Sequence, residues 1–256
     1  MSLIYEPKGK AREYSPLALN IYSGGCDHNC RYCYCKQISR GAWANKATPR
    51  DLSGLKKDAT KARKQILLSF MADPYCQSDC EYHETRGALN DLSEAGCSVA
   101  ILTKGGKRCL RDLDIFLNWP DGRIKVGATL TFCDEVDSLA WEPGAALPIE
   151  RRSALKALHD AGVKTWASIE PVIIPWQSLT IINATLSYVD AYKVGKWNHD
   201  ERAEQIDWAD FGMKAVNMIR NAGKQLYVKK DLRPYFPTGY LAARECDMNL
   251  LTLPPR

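Results

Sequence analysis

Short β-branched apolar runs alternate along the chain with longer stretches whose apolar residues recur at helical spacing, the pattern of parallel strands joined by helices. Strands are predicted over 17–24, 65–71, 98–103, 124–131, 164–170 and 190–195, with a seventh, 225–229, after the last helix. Helices are predicted over 51–63, 84–95, 107–117, 149–161, 176–186 and 207–222. Gly96 and Gly162 stand where two of these helices should stop, each able to supply a left-handed C-cap before the next strand. Trp208, Phe211 and Val216 fall at helical spacing, which is ordinary core packing. Six β/α units in 256 residues suggest a barrel incomplete relative to the eightfold form, or an open doubly wound sheet. One domain is expected across 1–256: an N-terminal extension (1–15), a barrel core (16–200) and a C-terminal helix, strand and tail (201–256).

Charge changes this picture little. Lys and Arg number 35 against 30 Asp and Glu, a balance that permits a phosphate-bearing partner without arguing for one. No apolar run approaches the length of a membrane span, so no membrane partner is expected. The first residues, Met1-Ser2-Leu3-Ile4-Tyr5-Glu6-Pro7-Lys8, lack the apolar core of a secretory signal, and a cytoplasmic protein is expected. Ten cysteines in such a chain point to reduced thiols and a metal site rather than to a disulfide scaffold.

Both candidate architectures place ligands at the carboxyl ends of strands. Chemically capable residues cluster there: cysteines after the first strand, Asp73 after the second, Lys104 after the third, Thr129 and Thr131 at the fourth, Glu170 at the fifth, Lys196 at the sixth, and Lys229 with Lys230 at the seventh. The cysteines are the strongest signal. In Cys26-Asp27-His28-Asn29-Cys30-Arg31-Tyr32-Cys33 three thiols stand close enough to share one metal centre. Iron–sulfur clusters and zinc normally take four ligands, so one position is left over. Either His28 or Cys35 completes a structural zinc knuckle, or the position is an open iron of a [4Fe–4S] cluster. No second C-x-x-C set, the usual partner in structural zinc loops, is present.

The C-x-x-x-C-x-aromatic-C arrangement after a first strand, with Tyr32 as the aromatic residue, resembles the signature of the radical S-adenosylmethionine (SAM) enzymes. The likeness extends over roughly residues 15 to 175 and is most similar to the spore photoproduct lyase-like branch. It is carried by Ala18-Leu19-Asn20-Ile21-Tyr22, Ala72-Asp73-Pro74-Tyr75, Thr103-Lys104, Arg111-Asp112-Leu113-Asp114, Trp141-Glu142-Pro143-Gly144, Ile149-Glu150-Arg151-Arg152 and Ala161-Gly162-Val163. The resemblance implies a partial (β/α)6 TIM-type barrel with a short extra C-terminal strand. It implies that Cys26, Cys30 and Cys33 hold a [4Fe–4S] cluster whose open iron chelates SAM, and that one electron then releases a 5′-deoxyadenosyl radical. It also implies that Tyr32 packs beside the adenine, that Asp73 and Lys104 contact the methionine and ribose parts, and that Thr129 keeps a serine-like hydroxyl. Arg151 either pairs with the cofactor carboxylate or forms a salt bridge with Glu142. A low-potential electron donor of flavodoxin or ferredoxin type would be the partner.

The chain departs from the lyase proper, which carries a hydrogen-donating cysteine ahead of the acid after the second strand. Phe70-Met71-Ala72 stands there instead, and Cys76 is the candidate substitute. Cys35, Cys80, Cys97, Cys109, Cys133 and Cys246 read as apolar fillers. On the far rim Glu170, Lys196, Trp197, His199 and Lys229 are the substrate candidates, with Lys230 and Arg233 as further phosphate contacts. The expected substrate is a nucleobase or nucleoside, a thymine-derived base in DNA above all, with photoproduct repair and modification or isomerisation of a modified thymine both open. The alternatives are a peptide or small molecule, and a non-catalytic zinc module that holds nucleic acid.

Overall fold

The computed structural model of the chain describes residues 2–39 and 41–255. Its strands are β1 (Ile4–Tyr5), β2 (Leu17–Leu19), β3 (Tyr22–Ser23), β4 (Thr48–Pro49), β5 (Ile66–Leu68), β6 (Val99–Thr103), β7 (Ile124–Thr129), β8 (Lys164–Ile169), β9 (Ala191–Val194) and β10 (Gln225–Val228). Its α-helices are α1 (Tyr34–Ile38), α2 (Leu55–Ala59), α3 (Asp79–Tyr82), α4 (Glu84–Glu94), α5 (Leu113–Leu117), α6 (Glu135–Trp141), α7 (Pro148–Asp160), α8 (Pro175–Thr185) and α9 (Trp208–Asn221). Eight strands form one sheet in the order β1-β2-β5-β6-β7-β8-β9-β10, parallel throughout except for the antiparallel edge pair β1 and β2. Every residue of β5, β7 and β9 is buried, as expected of parallel strands covered on both faces. Among the described residues β10 does not pair with β1 or β2, so the barrel is partial rather than closed.

Four predicted elements come out differently, the strand over 65–71 being reduced to β5. The strand over 17–24 stops at Leu19, because the Asn20 carboxamide oxygen accepts from the Phe70 and Met71 N–H groups and turns the chain into a separate β3–β4 hairpin. The helix over 51–63 shrinks to α2, since the Asp51 carboxylate accepts from Ser53 N at 2.9 Å and offers the backbone a competing turn. The helix over 107–117 is a 3-10 segment, Gly106–Asp112, before α5. Gly106 has φ +57 there, and a Cβ on it would lie 2.6 Å from that of Ala146. The remaining helices follow the predicted spans closely; Pro148 at the first turn of α7 and Glu150, whose carboxylate accepts from Leu147 N at 3.0 Å, fix its start.

The barrel interior is filled partly by polar side chains. Lys193 on β9 is buried, donates to the Glu13 and Tyr14 carbonyls at 2.7 and 2.9 Å, and lies over the rings of Tyr14, Trp166 and Tyr227. Residues 13 and 14 thus enter the barrel. At the opposite end of the strands the chain's tail closes the bottom: Leu253 N donates to Gln65 Oε1 at 2.9 Å, and the Leu251 carbonyl accepts from Lys125.

Burial, with the nearby Lys164 charge, lowers the Lys125 amine to about 7. The unfolded chain therefore binds more protons than the folded one between about pH 7 and the ordinary lysine range, and this residue's contribution to stability rises with pH across that window. Denaturant unfolding of the wild type and Lys125→Met at several pH values should show the wild type gaining on the variant by up to about 1.4 kcal/mol per pH unit. Parallel pH dependences in the two proteins would contradict a neutral buried amine.

Candidate active site

The cysteine loop runs from the β3–β4 hairpin into α1, and its backbone is pinned from several sides. Cys26 N donates to the Ala44 carbonyl at 3.2 Å, and Arg31 N to the Trp141 carbonyl at 2.8 Å. Gly144 N donates to the His28 carbonyl at 3.1 Å, and a Cβ on Gly144 would lie 1.9 Å from the Asp27 carbonyl oxygen. The Glu142-Pro143-Gly144 turn therefore serves as the bed on which the loop rests. Gly144→Ala should displace the loop, lowering iron retention after anaerobic reconstitution and desalting several-fold while the far-UV circular dichroism stays wild-type; undiminished retention would show that the bed is unnecessary.

Cys26, Cys30 and Cys33 all line one cavity of about 520 Å³. Burial raises the first two thiols, Cys26 to about 12 and Cys30 to about 11. Cys33 goes the other way, to about 6, through a hydrogen bond from Cys35 and the nearby Lys104 charge. Among the described residues no group of three or more Cys, His, Asp or Glu side chains is arranged to hold a metal ion as placed. A four-iron cubane, unlike a single ion, takes its thiolates at separate corners, and three free thiols on one short loop beside an open cavity fit that donor set. His28, weighed above as a fourth ligand, is otherwise engaged: it is buried, with Nδ1 3.4 Å from Asp73 and Nε2 3.1 Å from Arg108. Burial lowers it to about 4, so it is neutral at physiological pH.

The cavity wall continues over the strand ends. Asp73, Lys104 and Thr129 line it, as does Tyr32. Asp73 accepts from Thr103 Oγ1 at 2.5 Å, Lys104 N at 2.6 Å and Tyr75 N at 2.8 Å. Burial disfavours its charge, but His28 and these donors outweigh burial and hold it below the usual carboxylate range. The Lys104 ammonium lies 5.4 Å from the Tyr32 ring centre and makes no side-chain hydrogen bond among the described residues. It has donors to spare for an anionic group. Burial works against its charge, but Cys30, once it is a thiolate, and the Glu142 carboxylate outweigh burial and raise its pKa.

Two assigned residues sit elsewhere. Arg151, read as either a cofactor contact or the partner of Glu142, takes the second role outside the cavity wall: it pairs with Glu142 Oε2 at 2.6 Å and donates to the Ala146 and Thr129 carbonyls at 2.8 and 3.2 Å. Glu142 in turn accepts the Tyr32 hydroxyl, so Arg151 props the residue that holds Tyr32. Cys76, proposed as hydrogen donor, is fully buried behind the cavity wall beside Asp27, because the Asp73-Pro74-Tyr75 turn folds it back.

All five substrate candidates, Glu170, Lys196, Trp197, His199 and Lys229, line the same cavity. Glu170 pairs with Lys229. Lys196 donates to the Tyr235 hydroxyl at 3.0 Å, and Trp197 packs edge-on against Trp141. Three participants had no local signal in the sequence: Tyr14, in the segment read as an extension, Asn198, and the Glu142–Tyr32 contact. Glu142 was visible as a member of a Glu-Pro-Gly turn and as a salt-bridge partner for Arg151, but not as the anchor of Tyr32.

The structure thus sets three free thiols, on the first loop of a partial β/α barrel, at the border of a strand-end cavity. The family model of the radical SAM superfamily matches residues 20–187, and the chain belongs to that family. The family works with SAM and an iron–sulfur cluster. Among curated relatives, an uncharacterized protein of Methanocaldococcus jannaschii is 30% identical over 58% of this chain and 58% of its own length. An uncharacterized protein of Mycobacterium tuberculosis is 25% identical, with 58% of this chain and 47% of its own length covered. The chain thus spans about half of the curated relatives it matches. Among solved structures, a spore photoproduct lyase superposes with a TM-score of 0.67 at 12% identity over 91% of this chain and 80% of that one. Streptococcus suis SuiB bound to S-adenosylmethionine gives 0.64 at 14% identity, covering 88% and 53%. At these identities the likeness is one of fold. Among the described residues no helix is long and apolar enough to cross a membrane.

Proposed function

We propose that the chain is a radical SAM enzyme in which Cys26, Cys30 and Cys33 hold a [4Fe–4S] cluster and the adjoining cavity holds SAM and a nucleobase-type substrate. The carrying observation is that the three thiols, the strand-end residues Asp73, Lys104 and Thr129, and the polar groups Glu170 and Lys229 all border one cavity. When bound, the cluster and SAM supply one electron and a carbon radical able to abstract hydrogen. The protein's own groups do the rest. Lys104, kept charged, offers its ammonium to the carboxylate of the cofactor's methionine part. Tyr32, tethered through Glu142, presents a ring face for the adenine. Thr129, on the same wall, offers its hydroxyl to the ribose.

The nucleobase reading is supported by the structural neighbour complexed with a dinucleoside spore photoproduct, at a TM-score of 0.64. SuiB, solved with its precursor peptide at a TM-score of 0.62, supports the second reading, a peptide substrate. A low-potential one-electron donor of flavodoxin or ferredoxin type and a reducing cytoplasm belong to the proposal, the latter in keeping with ten free cysteines.

Anaerobic reconstitution tests it. The expected product is a brown protein with about four irons per chain, bleached by dithionite. With SAM it should release 5′-deoxyadenosine, and thymidine oligonucleotides, irradiated or not, should yield an altered base on digestion and mass spectrometry. A colourless protein with a single zinc and no 5′-deoxyadenosine would refute the reading; release with no base altered would move the substrate to peptides.

A further inference from the structure

We propose that the wall built by the ends of β8, β9 and β10 reads a neutral, planar edge on which a hydrogen-bond donor and an acceptor lie side by side. A nucleobase presents such an edge, rigid and preformed; a phosphate or a carboxylate does not. The inference rests on the nucleobase reading above and narrows it to the way the base is held.

Glu170 and Lys229 form a nearly enclosed ion pair here, their side chains only 14% and 5% exposed. Glu170 Oε2 is saturated: it accepts from Lys229 and, at 2.7 Å, from the Tyr14 hydroxyl, whose oxygen lies 3.0 Å from Ser168 Oγ. Among the described residues Glu170 Oε1 has only the Asn198 amide at 3.4 Å, a long and weak contact. The Lys229 ammonium has three donors; among the described residues Glu170 is its one hydrogen-bond acceptor, and the Tyr14 ring, its centre 4.4 Å away, covers another side. The wall therefore offers a strong acceptor, Glu170 Oε1, next to a spare ammonium donor.

Charge selects among ligands. The pair sums to zero, so an anion meets Glu170 as well as Lys229, and a cation meets the reverse conflict. A neutral group with an N–H beside a C=O satisfies both partners at once. A nucleobase ring holds the two rigidly in one plane, whereas a peptide must be held extended before a residue's N–H and C=O face the same way. The pair also has little room to adjust: a Cβ on Gly195, at the end of β9, would lie 2.8 Å from Glu170 Cδ and 3.0 Å from Lys229 Cδ. In so enclosed a place a mismatched ligand leaves a charged group unpaired, the condition under which hydrogen bonding discriminates strongly.

The test compares ligands on one protein. The full chain, reconstituted anaerobically, is titrated by calorimetry with and without SAM against thymidine, 3-methylthymidine, N-acetylglycine N-methylamide and inorganic phosphate. Thymidine should bind, and methylation at N3, which removes the donor, should weaken it about tenfold to hundredfold. The amide and phosphate should bind no better than 3-methylthymidine. In Lys229→Met the preference for thymidine over 3-methylthymidine should fall to within about threefold, and the same loss is expected in Gly195→Ala, where the added methyl displaces the pair. Equal affinity for the two nucleosides, no measurable binding of thymidine, or displacement of thymidine by phosphate overturns the inference. Release of 5′-deoxyadenosine is measured on the same preparations. Discrimination without release refutes the radical reading and leaves this one standing, while release without discrimination refutes this one alone.

Discussion

Cys30→Ala ends 5′-deoxyadenosine release, lowering it by about three orders of magnitude or more. The size of the effect follows from the loop. Cys26, Cys30 and Cys33 are the three thiols on it that face the cavity from within the C-x-x-x-C-x-aromatic-C spacing, and removing one leaves two thiolates for a centre that needs at least three. The fold does not depend on that thiol. Cys30 is one small side chain at the edge of the core, and its loss should cost no more than about 1 kcal/mol. The expected variant is therefore folded, with an unchanged circular dichroism spectrum, yet depleted of iron and inert towards SAM. Cys76→Ala is the matched control: its thiol is as buried but lies off the cavity, so iron and 5′-deoxyadenosine should both persist. Normal release from Cys30→Ala, or loss from both variants alike, would refute the assignment of the loop.

The parts of this site that lie at strand ends were legible before any coordinates. Parallel β/α topology concentrates ligands at one edge of the sheet, so Asp73, Lys104, Thr129, Glu170 and Lys229 could be selected by their place after a strand, and they border one cavity. What position in the chain could not convey is which way a side chain turns. Cys76 stands three residues after Asp73, but the turn between them folds the thiol away from the cavity. Arg151 opens a helix beside the cavity, but three oxygen acceptors around it hold it in the layer beneath. Tyr14 shows the opposite failure. It lies in a segment with no periodicity to mark it, and reaches Glu170 only because Lys193 draws the Glu13 and Tyr14 carbonyls into the open side of the barrel. Long helices were likewise placed well by their apolar spacing, while the short α1, α3 and α6 offered too few turns to register.

Arg151→Ala should destabilise the protein more than any single change in the cavity, by about 3–5 kcal/mol, because it strands the Glu142 carboxylate in the interior. Both partners are inaccessible, at 1% and 0% side-chain exposure. Burial opposes ionisation of Glu142, but Arg151 first and Lys104 next outweigh it and hold its pKa below the usual value. A carboxyl so depressed contributes stability that is present above its unfolded pKa and is lost as pH falls through the folded one; without Arg151 that acid-side dependence should flatten. In a chain of this size the loss corresponds to roughly 6–20 °C in melting temperature. The double change Arg151→Met with Glu142→Leu separates stability from function. Replacing both charges by apolar groups should restore most of the lost stability, since the pair's attraction is largely offset by its desolvation. It should not restore the cofactor site, because the Tyr32 hydroxyl loses the carboxylate that fixes its ring and keeps only Thr131 Oγ1 at 3.3 Å. SAM affinity in the stable double variant should therefore fall about tenfold. A destabilisation below about 1 kcal/mol for Arg151→Ala, or wild-type SAM affinity in the double variant, would mean that the layer under Tyr32 supports neither the fold nor the site.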